Sequence, residues 1–256
     1  MDITSPQNPR VKHLVRLRDD KRQRQREGLM LVEGYDEITL ALAAGHIPNT
    51  LLTAPQLTRR EISRVSTEIV TVSPEVFGKI SYRENPDGWL GIFPVPRLSL
   101  EDLKLGDPPL VVVAESVEKP GNLGAILRTA DAAGVDAVLV CDPRVDAYNP
   151  NVVRASRGTI FTVPVVETKS TQALVWLQRR GLQILAATPS AEAEFTRQDL
   201  RRPLAIAVGT EDEGLSELWM KQADMRVRIP MFGKVNSLNV SIATALIVYE
   251  AVRQRA

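Results

Sequence analysis

Four short segments in the second half of the chain limit its fold more than any other feature. Leu110 to Ala114, Ala137 to Val140, Gln183 to Ala187 and Leu204 to Val208 are almost unbroken apolar runs. A strand with one wet face alternates apolar and polar residues. These runs show apolar side chains to both sides, as strands of a parallel sheet covered on both faces do. Segments with helical spacing accompany them at Leu123 to Ala133, Thr171 to Arg179 and Glu217 to Gln222. The alternation predicts an open α/β sheet with helices on both sides. Ligands bind such sheets beyond the carboxyl ends of the strands, so the turns leaving these strands are where function is sought.

The first hundred residues carry a different pattern. Between Arg10 and Arg26 stand eight basic residues, interrupted only by Asp19 and Asp20. Val11, Leu14, Val15 and Leu17 give one side of this stretch an apolar character and predict an amphipathic helix. Two readings stay open. The charges form a solvated helix face, or Arg10, Lys12, Arg16, Arg18, Arg22 and Arg24 form a phosphate-contacting arm of the kind that supplies sequence-independent affinity for nucleic acid. The chain as a whole carries a net charge of only +1, from 32 basic and 31 acidic side chains, so the cluster is a local feature.

Further on, strands are expected at Leu29 to Val32, Thr50 to Thr53, Ile69 to Val72 and Trp89 to Val95. Helices are expected at Asp36 to Ala44, Ile62 to Glu68 and Pro74 to Ile80. These elements predict a small α/β domain over residues 1–97. A proline-bounded linker follows over 98–108, and a second domain over 109–256.

Composition removes several classes of function. The single Cys141 excludes an intrachain disulfide framework and a multi-cysteine zinc site, and His13 and His46 alone do not furnish a histidine-rich metal centre. No metal is expected. Met1 to Pro6 has no apolar core behind it, and no run approaches the roughly 20 apolar residues that span a bilayer. The expectation is a cytoplasmic protein without a membrane partner.

Three turns carry chemistry. The first, Glu115 to Arg128, places Asn122 where it can cap a helix and Arg128 inside that helix. Arg128 is either a surface ion pair with Asp131 or a fixed guanidinium aimed at a phosphate or hydroxyl oxygen. The second, Ala207 to Ser216, runs strand, Gly209, an acidic loop, Gly214, helix. Its spacing fits neither a dinucleotide fingerprint nor a Walker loop. Glu211 and Glu213 are a general acid and base, metal ligands, or a charge cluster at a helix N-terminus. The third, Ile229 to Ser241, begins as a short strand and then crowds Asn236, Ser237, Asn239 and Ser241 before an apolar helix. That is more polar chemistry than a cap requires.

Taken together and in this order, the three turns resemble the SpoU/TrmH family of RNA 2′-O-ribose methyltransferases, in the α/β-knot (SPOUT) class. The resemblance rests on Asn122-Leu123-Gly124-Ala125-Ile126-Leu127-Arg128-Thr129-Ala130, on Gly209-Thr210-Glu211-Asp212-Glu213-Gly214-Leu215-Ser216, and on Ile229-Pro230-Met231 with Ser237-Leu238-Asn239-Val240-Ser241-Ile242-Ala243. Gln7 to Lys12 and Leu31 to Gly34 are similar to a ribosomal-protein-like RNA-binding module. The resemblance implies a C-terminal α/β domain with a deep trefoil knot, a homodimer, and S-adenosylmethionine as cofactor. Thr188, Gly209, Ile229, Met231 and Leu238 match the cofactor positions. Arg128, Asn122, Glu211, Ser237 and Asn239 match the catalytic positions, and Ser241 is left to cap the helix. The implied reaction is 2′-O-methylation of a ribose in structured RNA, with large-subunit rRNA as the leading substrate. The alternatives are a tRNA ribose methyltransferase, a base methyltransferase, and a non-catalytic RNA-binding or ribosome-assembly factor on the same fold.

Overall fold

The computed structural model describes residues 2–62 and 65–256. It divides into two compact units, Met1–Pro96 with Tyr148–Thr162, and Arg97–Ala147 with Val163–Ala256.

In the first unit the elements are β1 (Asp2–Ile3), α1 (Pro9–Asp19), α2 (Lys21–Glu27), β2 (Leu29–Glu33), α3 (Tyr35–Ala43), β3 (Thr50–Thr53), β4 (Ile69–Val72), α4 (Pro74–Ile80) and β5 (Trp89–Pro94). The strands form a mixed sheet in the order β1-β4-β3-β5-β2. Val11, Leu14 and Leu17 of α1 pack with Val76, Phe77 and Ile80 of α4 against Leu31, Leu52, Val70 and Leu90 of the sheet. The basic stretch is two helices rather than one. Asp20 ends α1 in an extended conformation and caps α2 by accepting from the Arg22 backbone N–H. The helix expected over Ile62 to Glu68 is not formed: residues 62 and 65–68 are irregular, and 63 and 64 lie outside the described residues.

The second unit contains β6 (Leu110–Glu115), α5 (Pro120–Ala132) and β7 (Ala137–Cys141). The chain then contributes α6 (Pro150–Ser156) to the first unit, where it packs on β2. There the Phe161 ring lies 5.6 Å from that of Phe93. Gly158, at φ +84°, lets the chain pass where a Cβ would come within 3.0 Å of the Glu37 backbone. The second unit resumes with β8 (Val165–Thr168), α7 (Ser170–Arg179), β9 (Gln183–Ala187), β10 (Leu204–Val208), α8 (Glu217–Gln222), β11 (Met225–Val227) and α9 (Val240–Arg255).

All six strands of this unit are parallel, in the order β11-β9-β10-β6-β7-β8. Val111, Val113, Leu139, Ile184, Ala205 and Ala207 form one core with Leu174 and Leu177 of α7 and Trp219 of α8. The alternate residues Val112, Val138, Val140, Leu185, Ile206 and Val208 are buried too. Side chains alternate across a strand, so the second face is covered as well. On that side α5 packs against α9, and the two helices touch β7 and β10. Strand parity and continuous burial thus follow from the apolar runs. The two edge strands do not. Val165–Thr168 turns polar after two residues, and Met225–Val227 is three residues long with Arg226 in the middle.

Candidate active site

The chemistry gathers beyond the carboxyl ends of β6, β9 and β10. Helix α5 starts at Pro120, not Leu123, because proline with its fixed φ is suited to a first helical position. Lys119 therefore occupies the N-cap, and Asn122 lies within the first turn with its side chain released from capping. The Asn122 Nδ2 amide donates to the Glu211 carboxylate, and Lys119 Nζ donates to the same group. Glu211 beside it raises the pKa of Lys119.

Asn239 completes the cluster. Its Nδ2 lies 3.1 Å from Asn122 Oδ1 and 3.3 Å from Glu211 Oε1. Its Oδ1 accepts from the Ser241 backbone N–H at 3.0 Å and from the Ser241 hydroxyl at 2.6 Å. Asn239 is thus the N-cap of α9, and Ser241, expected as the cap, is its partner two residues on, within the first turn. One side chain both starts the last helix and ties it to the other two motifs.

The loop carrying Glu211 is held from several sides. Backbone bonds between Thr210 and Gly214, at 3.0 and 3.2 Å, close it into a tight turn. Gly209 is glycine for that reason, since a Cβ there would fall 2.0 Å from the Gly214 carbonyl oxygen. Beneath it the buried Glu115 accepts from the Ser216 N–H at 2.7 Å and from the Ser170 hydroxyl at 3.3 Å. Arg144, after β7, pairs with Glu118 and lies 3.5 Å from Glu213.

Beside this cluster is a cavity of about 450 Å³, lined by Thr188, Gly209, Ile229, Met231, Ser237 and Leu238 among others. All five residues matched to cofactor positions line it together with Ser237. Val240, Ser190 and Ile247 also line it, without a recognisable sequence signal of their own. Lys119 is the other residue the sequence reading missed; its place before Pro120 was the available signal. Arg128 lies apart from the cavity and the cluster. It is exposed on α5 and makes no hydrogen bond or ion pair among the described residues, so the pair with Asp131 is not formed.

The six basic residues of the N-terminal stretch divide in two. Arg24 is buried, and its guanidinium donates to the Leu17 and Arg18 carbonyls at 2.7 and 2.8 Å. Arg18 donates to the Lys79 and Ser81 carbonyls at 2.9 and 2.8 Å and pairs with Asp19. Both guanidinium groups are thus held by carbonyls of the fold, Arg24 buried and Arg18 partly exposed. Among the described residues, Lys12, Arg16 and Arg22 are exposed and make no side-chain hydrogen bond or ion pair, and Arg10 pairs with Glu68 at 3.7 Å.

The profile of the SpoU rRNA methylase family matches residues 109–249, more than half of the chain. The chain belongs to this family. In the first unit of this SpoU-family protein, residues 8–91 match the MRM3-like substrate binding domain. A relative from Streptomyces viridochromogenes, a 23S rRNA (uridine(2479)-2′-O)-methyltransferase, is 31% identical over 99% of this chain and 92% of its own. A solved RNA 2′-O ribose methyltransferase is 42% identical with a TM-score of 0.88, covering 100% of this chain and 99% of that one. The AdoMet-bound rRNA methyltransferase from Sinorhizobium meliloti is 29% identical with a TM-score of 0.90, covering 99% and 97%.

S-adenosylmethionine fits the lining of this SpoU-family cavity. The volume lies in the range of small-molecule sites, about 300–1,000 Å³. Val208, Leu215, Ile229, Leu238 and Ile247 offer apolar walls for a purine. Among the described residues, backbone pairing by N–H donors stops at Arg228 and resumes only in α9. The intervening loop lines the cavity through Ile229, Met231, Asn236, Ser237 and Leu238. Glu211, Asp212 and Glu213 stand on the rim, a sign of charge suited to a sulfonium.

Proposed function

We propose that this protein transfers a methyl group from S-adenosylmethionine to a ribose 2′-hydroxyl of structured RNA, with large-subunit rRNA as its substrate. The observation that carries the reading is the hydrogen-bonded Asn122–Glu211–Asn239 cluster set beside a cofactor-sized cavity. The named substrates of the relatives favour rRNA, and with it a cytoplasmic setting.

Thr188, Gly209, Ile229, Met231 and Leu238 would hold the cofactor. When bound, it supplies an electrophilic methyl on a sulfonium. The chain must then align the hydroxyl with that methyl and help its proton leave. Glu211 has three donors on its carboxylate, so it organises the loops rather than taking the proton. Asn122 and Asn239 fix its orientation, and Ser237 faces the cavity where the ribose enters. Arg128, permanently charged and without a hydrogen bond or ion pair among the described residues, is suited to hold an RNA phosphate or the developing alkoxide. Lys12, Arg16, Arg22 and Arg10 supply phosphate contacts from the first unit.

Two further features belong to the same proposal. The loops after β9, β10 and β11 converge on one cavity, as a trefoil knot at the end of the chain would bring about. The α9 face with Ile242, Leu246 and Tyr249 is the surface through which two copies pair, completing the site across the interface. Labelled-cofactor methylation of rRNA, mapped by ribose-methylation sequencing, tests the function. A 2′-O-methyl mark that disappears in Arg128→Ala is expected; the absence of any Arg128-dependent mark overturns the reading.

A further inference from the structure

We infer that Phe232 is a stacking platform for an unstacked nucleobase of the RNA substrate. The inference rests on the methyl-transfer reading above and adds to it a subsite for the base. Phe232 is 98% exposed, the most exposed large apolar side chain among the described residues. Phe77, Phe93 and Phe161 are buried and Phe195 is half-buried, so Phe232 alone of the five phenylalanines stands in water.

Its neighbours in the loop place it near the site. Met231, the preceding residue, lines the cavity, as do Asn236 and Ser237 a few residues on. Pro230 stiffens the entry to the loop, and at its exit Asn239 is bonded to Asn122 and Glu211. Phe232 therefore stands in the loop whose neighbouring residues line the cavity, without being part of the lining itself. Val235, 63% exposed, extends the apolar surface. From Arg228 to Ser241 the only charged residues are Arg228 and Lys234, and Lys234 is exposed and has no ion pair among the described residues. An aromatic ring beside a cation, in a stretch without acid, is complementary to a base and its phosphate.

The exposed apolar residues of α9 line a groove with Ala125 and Thr129, and Phe232 is not part of that lining. An exposed Leu or Val has no flat π-face. A phenyl ring presents one, and every base can stack on it, which suits recognition of single-stranded or splayed nucleotides by shape.

The experiment compares the full-length protein with Phe232→Ala and Phe232→Trp, using unmodified 23S rRNA transcript. Phe232→Ala is expected to raise the KM for RNA about tenfold, within the range of one base–aromatic stack. Its affinity for S-adenosylmethionine and its sedimentation coefficient should be unchanged. Phe232→Trp should keep a KM near that of the parent. The three natural tryptophans, Trp89, Trp176 and Trp219, are buried, so the new exposed indole should report RNA by quenching of its emission. An unchanged KM in Phe232→Ala, a lost cofactor affinity, a shift in oligomeric state, or no RNA-dependent quenching in Phe232→Trp each overturns the inference. If the parent protein methylates no RNA, the functional reading fails by itself, and the quenching still decides the stacking.

Discussion

Side chains that look alike in sequence do opposite jobs here, and their hydrogen-bond partners decide which. Arg24 and Arg128 are both helical arginines, yet Arg24 closes two carbonyls inside the fold while Arg128 makes no hydrogen bond or ion pair among the described residues. Arg128→Ala should leave stability within about 0.5 kcal/mol of the parent, as for surface substitutions away from special features. It should lower methylation on the order of 100-fold, the scale of a lost positioning contact. Thermal unfolding and single-turnover rates together check this, and a fall in stability matching the fall in rate would refute it. Glu33 is the contrasting carboxylate. It is fully buried, accepting from the Ser81 hydroxyl at 2.6 Å and the Tyr82 N–H at 3.0 Å. Burial nonetheless outweighs these bonds and pushes its pKa above the usual carboxylate value. The folded protein then holds this proton to higher pH than the unfolded chain does. Its contribution to stability is therefore present at low pH and falls as pH rises from the ordinary glutamate pKa through the raised one. Denaturant unfolding across that interval should show the fall in the parent and a flatter profile in Glu33→Gln; identical profiles would sink the assignment.

At the level of elements, what could be read was what local chemistry alone determines. Gln183–Ala187 and Leu204–Val208 run where their apolar residues begin and end, because both faces of those strands are buried. Pro74–Ile80 was legible from its proline at the first turn, with Ser73 capping it. The misses came where a long-range partner decides. Asn122 looked like a cap because nothing nearby in sequence shows that Glu211, 89 residues on, takes its amide. Ser241 is expected to cap the last helix, but Asn239 does so by accepting from the Ser241 N–H, while its amide reaches across to Asn122. The basic stretch read as one helix because Asp20 looked like an interruption of charge rather than a helix cap. Its break turns Arg24 inward and leaves Lys12 and Arg16, one turn apart on α1, facing water. Lys12→Gln with Arg16→Gln should lower RNA affinity and reduce the slope of log affinity against log salt by about 0.7–0.9 for each lost contact. Arg24→Gln should instead destabilise the protein, with a slope like that of the parent. Filter binding over a salt series separates the two outcomes, and equal slopes for all variants would return Lys12 and Arg16 to an ordinary solvated face.

For the whole molecule, the decisive surface is the outer face of α9. Ile242, Leu246 and Tyr249 recur at helical spacing and are 52%, 42% and 48% exposed. Across from them α5 offers Ala125 and Thr129, small side chains that leave a shallow groove between the helices. Scattered exposed apolar residues need no explanation, but three on one helical face beside a groove are what a pairing surface would present. A two-fold pairing would set this face against its own copy, as closed symmetric dimers do. It would also bring the α5 helix of each copy, with its Arg128, to the seam. Leu246→Glu places a charge in that seam while the side chain stays in water in a single chain, so folding should survive. Light scattering should then report a dimer for the parent and a monomer for Leu246→Glu, with unchanged far-UV circular dichroism. Methylation should fall with the loss of the dimer, because Arg128 would no longer have a partner site to serve. A monomeric variant with full activity would show that each chain carries a complete site, and a monomeric parent would remove the pairing altogether.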